Sequence, residues 1–276
     1  MRRIAATFIA TVAFSGTLVV LPVYASPGDA PEPVVTETEE IAMGSVDDPA
    51  PTVDVQPGVT ESVAGVPGDA PTLTLTRSDV DEFSLLGVTW AHDPGVTDTL
   101  VQVRVINADG EWGAWTEVGT ETANQGVRVP TGVIQRGGTS PLWTGPSTGV
   151  EVELVTRSGS RPTDVQLDLV DPGESTADAA VATTEAQDSA NAAMAMPVVK
   201  SRAQWGADES LRTWAPRYAS TIKAATLHHT ADSNDYSATQ VPAVLRSIYR
   251  YHAVSLGWGD IGYNVIVDKF GKIWEG

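Results

Sequence analysis

The residues best suited to chemistry are His228-His229-Thr230 and, further along, Tyr263. Imidazole nitrogens bind metal ions or move protons near neutral pH, and a phenol can donate a hydrogen bond to developing negative charge. No cysteine occurs in the 276 residues, which excludes a thiol nucleophile and any Cys-containing zinc site within the chain. The histidine pair is a weak signal by itself. Neighbouring side chains of a strand face opposite sides, so only one of the two can point into a given site. Histidine pairs more often pack or face water than bind metal. Tyr263, beside Gly262, reads from its neighbours first as a core aromatic next to a glycine turn.

Regular elements must hold these groups. Residues 225–229 predict a short strand that ends at the histidines. Residues 241–256 predict an amphipathic helix with Val244, Leu245, Ile248, Tyr251 and His252 on or near one face, closed by Gly257 in a left-handed conformation. Residues 263–267 and 272–274 predict two strands around the turn Lys269-Phe270-Gly271. Strand, helix, strand, strand implies an α/β or α+β domain over 197–276.

Upstream the texture differs. Between 73 and 172, short β-branched or alternating runs (85–90, 100–106, 112–118, 150–156 and 165–170) are separated by turns such as His92-Asp93-Pro94-Gly95 and Asn107-Ala108-Asp109-Gly110. They predict a small, all-β, sandwich-like domain. It contains Trp90, Trp112, Trp115 and Trp143, most of them expected in its core, although tryptophans also line carbohydrate-binding faces. Residues 26–72 hold ten Asp/Glu and no Lys/Arg and read as a disordered acidic spacer. Residues 173–196, rich in Ala, Thr, Ser and acids, read as a linker.

The formal charge is −18. From Pro197 onward nine Lys/Arg stand against seven Asp/Glu, a balance of +2 that leaves −20 for the residues before it. With no basic run, nucleic acid is excluded as the main partner. Arg2 and Arg3, an apolar stretch over 4–20 and small residues around Val23-Tyr24-Ala25 predict an export signal at 1–25 and a secreted or cell-envelope location. The membrane is then met only transiently. A retained anchor is the alternative, since the stretch approaches spanning length, though Ser15, Gly16 and Pro22 interrupt it.

Read in order, the strings SRAQWGA (201–207), HHTA (228–231), YRYH (249–252), GWGDIGYN (257–264) and GKIWEG (271–276) resemble the peptidoglycan recognition protein family, whose bacterial and phage relatives are type 2 N-acetylmuramoyl-L-alanine amidases. A β domain followed by an acidic linker is similar to the arrangement in exported actinobacterial members. The resemblance implies an α/β amidase domain with zinc as cofactor and peptidoglycan as partner. It implies His228 as a zinc ligand with His229 behind it, Tyr263 as a catalytic group, and Thr230 in the substrate groove. Gly257 and Trp258 match members that accept meso-diaminopimelate peptides. The family's other two ligands, a His and a Cys or Asp, belong to a part of the domain that would follow Gly276, so the expectation is a truncated form. His252 matches a histidine that packs rather than ligates.

Overall fold

The computed structural model describes residues 32–57, 71–121, 135–156, 160–183, 197–216, 218, 220–230 and 234–276. The expected export signal at 1–25 lies outside the described residues. In chain order the strands begin with β1 (Glu37–Gly44), β2 (Asp54–Pro57), β3 (Pro71–Arg77), β4 (Phe83–Ala91), β5 (Thr99–Asn107) and β6 (Thr116–Val118). They continue with β7 (Thr120–Glu121), β8 (Arg136–Thr139), β9 (Leu142–Thr156) and β10 (Val165–Asp171). Then come α1 (Ala177–Thr183), β11 (Val199–Lys200), two 3-10 turns (Arg202–Trp205 and Glu209–Leu211), α2 (Val241–Arg250), a π turn (Tyr251–Ser255), β12 (Val265–Val267) and β13 (Ile273–Glu275).

The long β9 joins the β architecture. Its first residues pair with β4, and the rest runs antiparallel between β3 and β5. One set of ladders follows β1-β10-β4 and the other β2-β3-β9-β5-β6. Leu73, Leu75, Leu86, Val88, Val101, Val152, Leu154 and Leu167, drawn from both sets, form one apolar cluster.

Strand β4, FSLLGVTWA, is buried at every residue except its last, a pattern that requires cover on both faces. Leu86 and Val88 face the cluster above. Leu85, with Trp143 and Val170, meets Val244, Leu245, Ile248, Tyr251 and Leu256 of the segment from α2 onward. Gly87 permits the approach, because a Cβ there would lie 2.3 Å from the Tyr251 ring. The Tyr251 hydroxyl donates to the Thr139 carbonyl at 3.0 Å.

Polar contacts fasten the same seam. The fully buried Arg246 donates from Nε to the Pro172 carbonyl, from one terminal nitrogen to Asp178 Oδ1 and the Trp205 carbonyl, and from the other to Asp178 Oδ2 and the Gly173 carbonyl. Further contacts run from Arg250 Nε to Thr38 Oγ1 and between the backbones of Val34 and Gly206 and of Arg136 and Leu256. The β strands and the α2 region are therefore packed together.

Three expectations are corrected. The stretch 26–72 contains β1 and β2. β1 is held by a backbone ladder to β10, while its glutamates Glu37, Glu39 and Glu40 lie at the solvent side, so composition gave the appearance of a spacer to an edge strand whose stability comes from main-chain pairing. The expected linker contains α1, whose Asp178 is bonded to Arg246; residues 184–196 lie outside the described residues. The expected strand at 225–229 is not a strand. Residues 221–230 are exposed, Leu227 by 98%, and they join no ladder among the described residues, so nothing fixes them as β structure. Trp90 and Trp143 are core residues as expected, whereas Trp112 is exposed and Trp115 half-buried.

Candidate functional site

The helix predicted over 241–256 is α2 continued by the π turn, a local widening that often marks functional regions of helices. Gly257, at φ +68°, ends it in the left-handed region. From there the chain is tied down residue by residue. Trp258 N donates to the His252 carbonyl at 2.9 Å and Gly259 N to the Ala253 carbonyl at 3.1 Å. Trp214 Nε1 donates to the Trp258 carbonyl at 2.8 Å. Gly259, at φ +74°, leaves room for Thr213 and Trp214, which a Cβ would strike at 2.0 and 3.0 Å. The loop that carries Tyr263 is thus well supported before β12 begins.

His252 provides the last support. Its ring is fully buried, stacks on Trp258 with centroids 4.5 Å apart, and lies 5.6 Å from the Tyr263 ring. Gly262 N–H donates to His252 Nδ1 at 3.2 Å. An accepting Nδ1 places the proton of the neutral ring on Nε2, which is buried without a hydrogen-bond partner among the described residues. Burial, reinforced by the nearby His228, lowers the His252 pKa to about 3, so the ring is neutral at physiological pH.

Tyr263 and His228 meet. The hydroxyl lies 2.9 Å from His228 Nδ1, and the rings stack at 5.9 Å and 23°. His229 stacks on the other imidazole at 6.0 Å. Its Nδ1–H donates to the Thr230 carbonyl at 3.2 Å, which directs the two histidines to different tasks. Of the residues expected in the site, His228 and Tyr263 are in direct contact. Trp258 stands behind them through His252, and Gly257 acts as the helix terminator. Thr230 is exposed and takes part through its backbone carbonyl.

Among the described residues no group of three His, Cys, Asp or Glu side chains converges. Catalytic zinc is held by three protein ligands. The described residues therefore do not by themselves fit a zinc site.

A separate cleft of about 480 Å³ lies where Glu82, Trp143 and Asp171 face Asp178, Gln240 and Ala243. It contains none of the residues around His228 and Tyr263. Sequence reasoning gave His252 as a packing histidine, as found; its role in holding Gly262 N–H, and with it the Tyr263 loop, comes from the structure.

The chain is 40% identical over 78 residues to peptidoglycan-recognition protein SC1a of Drosophila melanogaster, covering 28% of this chain and 41% of that protein. It is 36% identical over 89 residues to peptidoglycan-recognition protein SC2 of Drosophila simulans, covering 32% and 46%. The N-acetylmuramoyl-L-alanine amidase of Homo sapiens is 31% identical over 102 residues, covering 36% of this chain and 17% of that protein. The chain spans less than half the length of these relatives. Among solved structures, the subviral particle of infectious bursal disease virus VP2 is similar at 14% identity over 49% of this chain and 32% of that one, with a TM-score of only 0.25. Residues 37–195 match the family described as Rv3811 N-terminal galactose-binding domain-like, and with more than half of its length in that match the chain belongs to this family.

Proposed function

We propose that the segment from 197 onward recognises peptidoglycan and, in a protein that supplies the remaining zinc ligands, hydrolyses the amide bond between N-acetylmuramic acid and L-alanine. The observation that carries the reading is the 2.9 Å contact between His228 Nδ1 and the Tyr263 hydroxyl, two groups far apart in sequence. One tautomer serves both roles. With the proton on Nδ1, His228 donates to the Tyr263 oxygen, so the phenolic proton is free to be given outward to the oxyanion of a tetrahedral intermediate. The same tautomer leaves a lone pair on His228 Nε2, the form in which imidazole binds a metal. Zinc, once held, would polarise the amide carbonyl and activate water.

In this reading His228 is one zinc ligand and Tyr263 the oxyanion donor. Thr230, Gly257 and Trp258 border the bound stem peptide, of the meso-diaminopimelate type. Export through the signal at 1–25 would bring the protein to the cell envelope. Recognition without cleavage is the second reading, favoured by the names of the Drosophila relatives.

The test incubates the protein with diaminopimelate-type and lysine-type peptidoglycan, with added zinc and with a chelator. Mass spectrometry follows released stem peptides, and sedimentation with the wall follows binding. Release that depends on zinc supports the amidase. Sedimentation without release supports recognition alone. Neither binding nor release refutes both.

A further inference from the structure

Strand β4 changes face near its start. Phe83, Leu86 and Val88 pack in the apolar cluster of the β strands, whereas Leu85 packs toward α2. Strict alternation would put Phe83 on the same side as Leu85, but the register of β4 against β9 slips between those two residues. The slip sends Ser84 to the α2 side beside Leu85. There it lines the cleft of about 480 Å³ together with Trp143, Gln240 and Ala243. Ser84 is only 6% exposed, and its hydroxyl has no hydrogen-bond partner among the described residues. Buried hydroxyls are normally paired, so one left open beside a cavity marks a place for a ligand atom.

Four carboxylates stand around the same cleft, those of Glu82, Asp171, Glu174 and Asp178, and no Lys, Arg or His is among its described lining residues. Asp178 is already spent, because both of its oxygens accept from Arg246. The other three form no ion pair among the described residues. Asp171 is held in place by Gly173 N–H, which donates to its Oδ1 at 2.9 Å. Glu82 and Asp171 also border a second cleft of about 300 Å³, where Glu37, Glu39 and Asp81 extend the negative lining along β1.

The spacing of these groups selects the ligand. Among the described residues no three of them converge closely enough to hold a metal ion, which excludes the clustered oxygens that calcium requires. Carboxylates spread along a cleft of small-ligand size suit an extended organic cation. Trp143, Pro146, Pro172 and Ala243 offer apolar contact to methylene groups between the charges. An ammonium donates three hydrogen bonds from one compact charge, enough for two carboxylates and the Ser84 hydroxyl.

We propose that this cleft binds a ligand carrying primary alkylammonium groups on a methylene chain, with Glu82, Asp171 and Glu174 taking the charges and Ser84 accepting one N–H. Free polyamines and lysine-bearing peptides share that chemistry.

The experiment is calorimetric titration of the full chain at about 0.15 M salt, where diffuse attraction to an acidic protein is largely screened. The probes are spermidine, trilysine and trilysine acetylated on every amine. Binding of spermidine alone identifies a polyamine site, tighter binding of trilysine identifies a peptide site, and either supports the proposal. Acetylation should weaken trilysine at least about tenfold. Glu82→Gln should weaken amine binding about tenfold, and Glu82→Gln combined with Asp171→Asn about a hundredfold. Asp109→Asn, which removes one exposed charge from the turn after β5, should change nothing. Thermal melting verifies that each variant folds, with the Arg246–Asp178 pair left intact. Tyr263→Phe should leave amine binding unchanged, which separates this proposal from the amidase reading. No binding by the unaltered chain, equal affinity of the folded double variant, an equal loss in Asp109→Asn, or equal affinity for the acetylated peptide would overturn it.

Discussion

Arg246→Met would test whether the β strands and the α2 region form one cooperative unit. Arg246 has a side chain only 1% exposed, and its nitrogens reach three backbone carbonyls and both oxygens of Asp178. Methionine retains much of the apolar stem and removes every donor. Breaking a buried ion pair on one side costs about 3–5 kcal/mol. Asp178 is 17% exposed and can partly rehydrate, which lowers its share, but the carbonyls of Pro172, Gly173 and Trp205 lose donors at about 1 kcal/mol or more for each that stays dry. The expected loss is therefore about 3–5 kcal/mol. With a urea dependence of about 3 kcal/mol per molar, the midpoint should fall by about 1–1.7 M. Circular dichroism reports the strands, and fluorescence reports Trp143, Trp205 and Trp274 about the seam; both should move together in the unaltered chain and in the variant. A midpoint shift under about 0.3 M, or two separate transitions in the unaltered chain, would refute the reasoning.

Tyr263→Phe keeps the ring beside His228 and removes the hydroxyl, so in a zinc-competent protein turnover should fall roughly a hundredfold to a thousandfold while sedimentation with peptidoglycan changes little. His252→Asn can still accept from Gly262 N–H where His252→Phe cannot. Amide exchange at Gly262 should accelerate in the Phe variant and much less in the Asn variant; equal rates would remove His252 from the support of the Tyr263 loop. Asp168 is buried, and burial above all, with Glu40 adding to it against the bonds from Thr89 and Ser255 and the charge of Arg136, raises its pKa from 3.8 to about 7. The folded state then binds more protons than the unfolded chain between about pH 4 and pH 7, so this contribution is complete at the acid end and is lost as pH rises through about 7. Asp168→Asn should flatten that decline and gain stability at pH 8 relative to pH 5, by at most about 3 kcal/mol, as measured by urea unfolding at the two values.

Parts of this were readable along the chain. The helix from 241, its stop at Gly257 and the hairpin around Gly271 follow from apolar spacing and turn residues, and they appear as α2, a left-handed glycine and the β12–β13 pair. The edge strand β1 was not readable, because an acidic, weakly patterned segment differs little in composition from a disordered one and its ladder to β10 is made of backbone groups common to all residues. The strand expected at 225–229 failed for the converse reason. Its residues suit β structure, yet strand identity depends on a pairing partner, and the segment has none among the described residues.

Sequence alone determined the elements whose causes are local: the amphipathic face of α2, the glycine stops, and a set of motif residues that includes His228 and Tyr263. Tertiary structure decided which of these meet. It brought Tyr263 to His228 through a loop held by His252, bonded the buried Arg246 of α2 to Asp178 of α1 and to the carbonyls of Pro172, Gly173 and Trp205, and turned Trp112 and Trp115 to the same side of a sheet by one extra residue. Each of those outcomes depends on pairing between distant segments, whose register and burial are properties of the packed chain and are not encoded in the spacing of any single stretch.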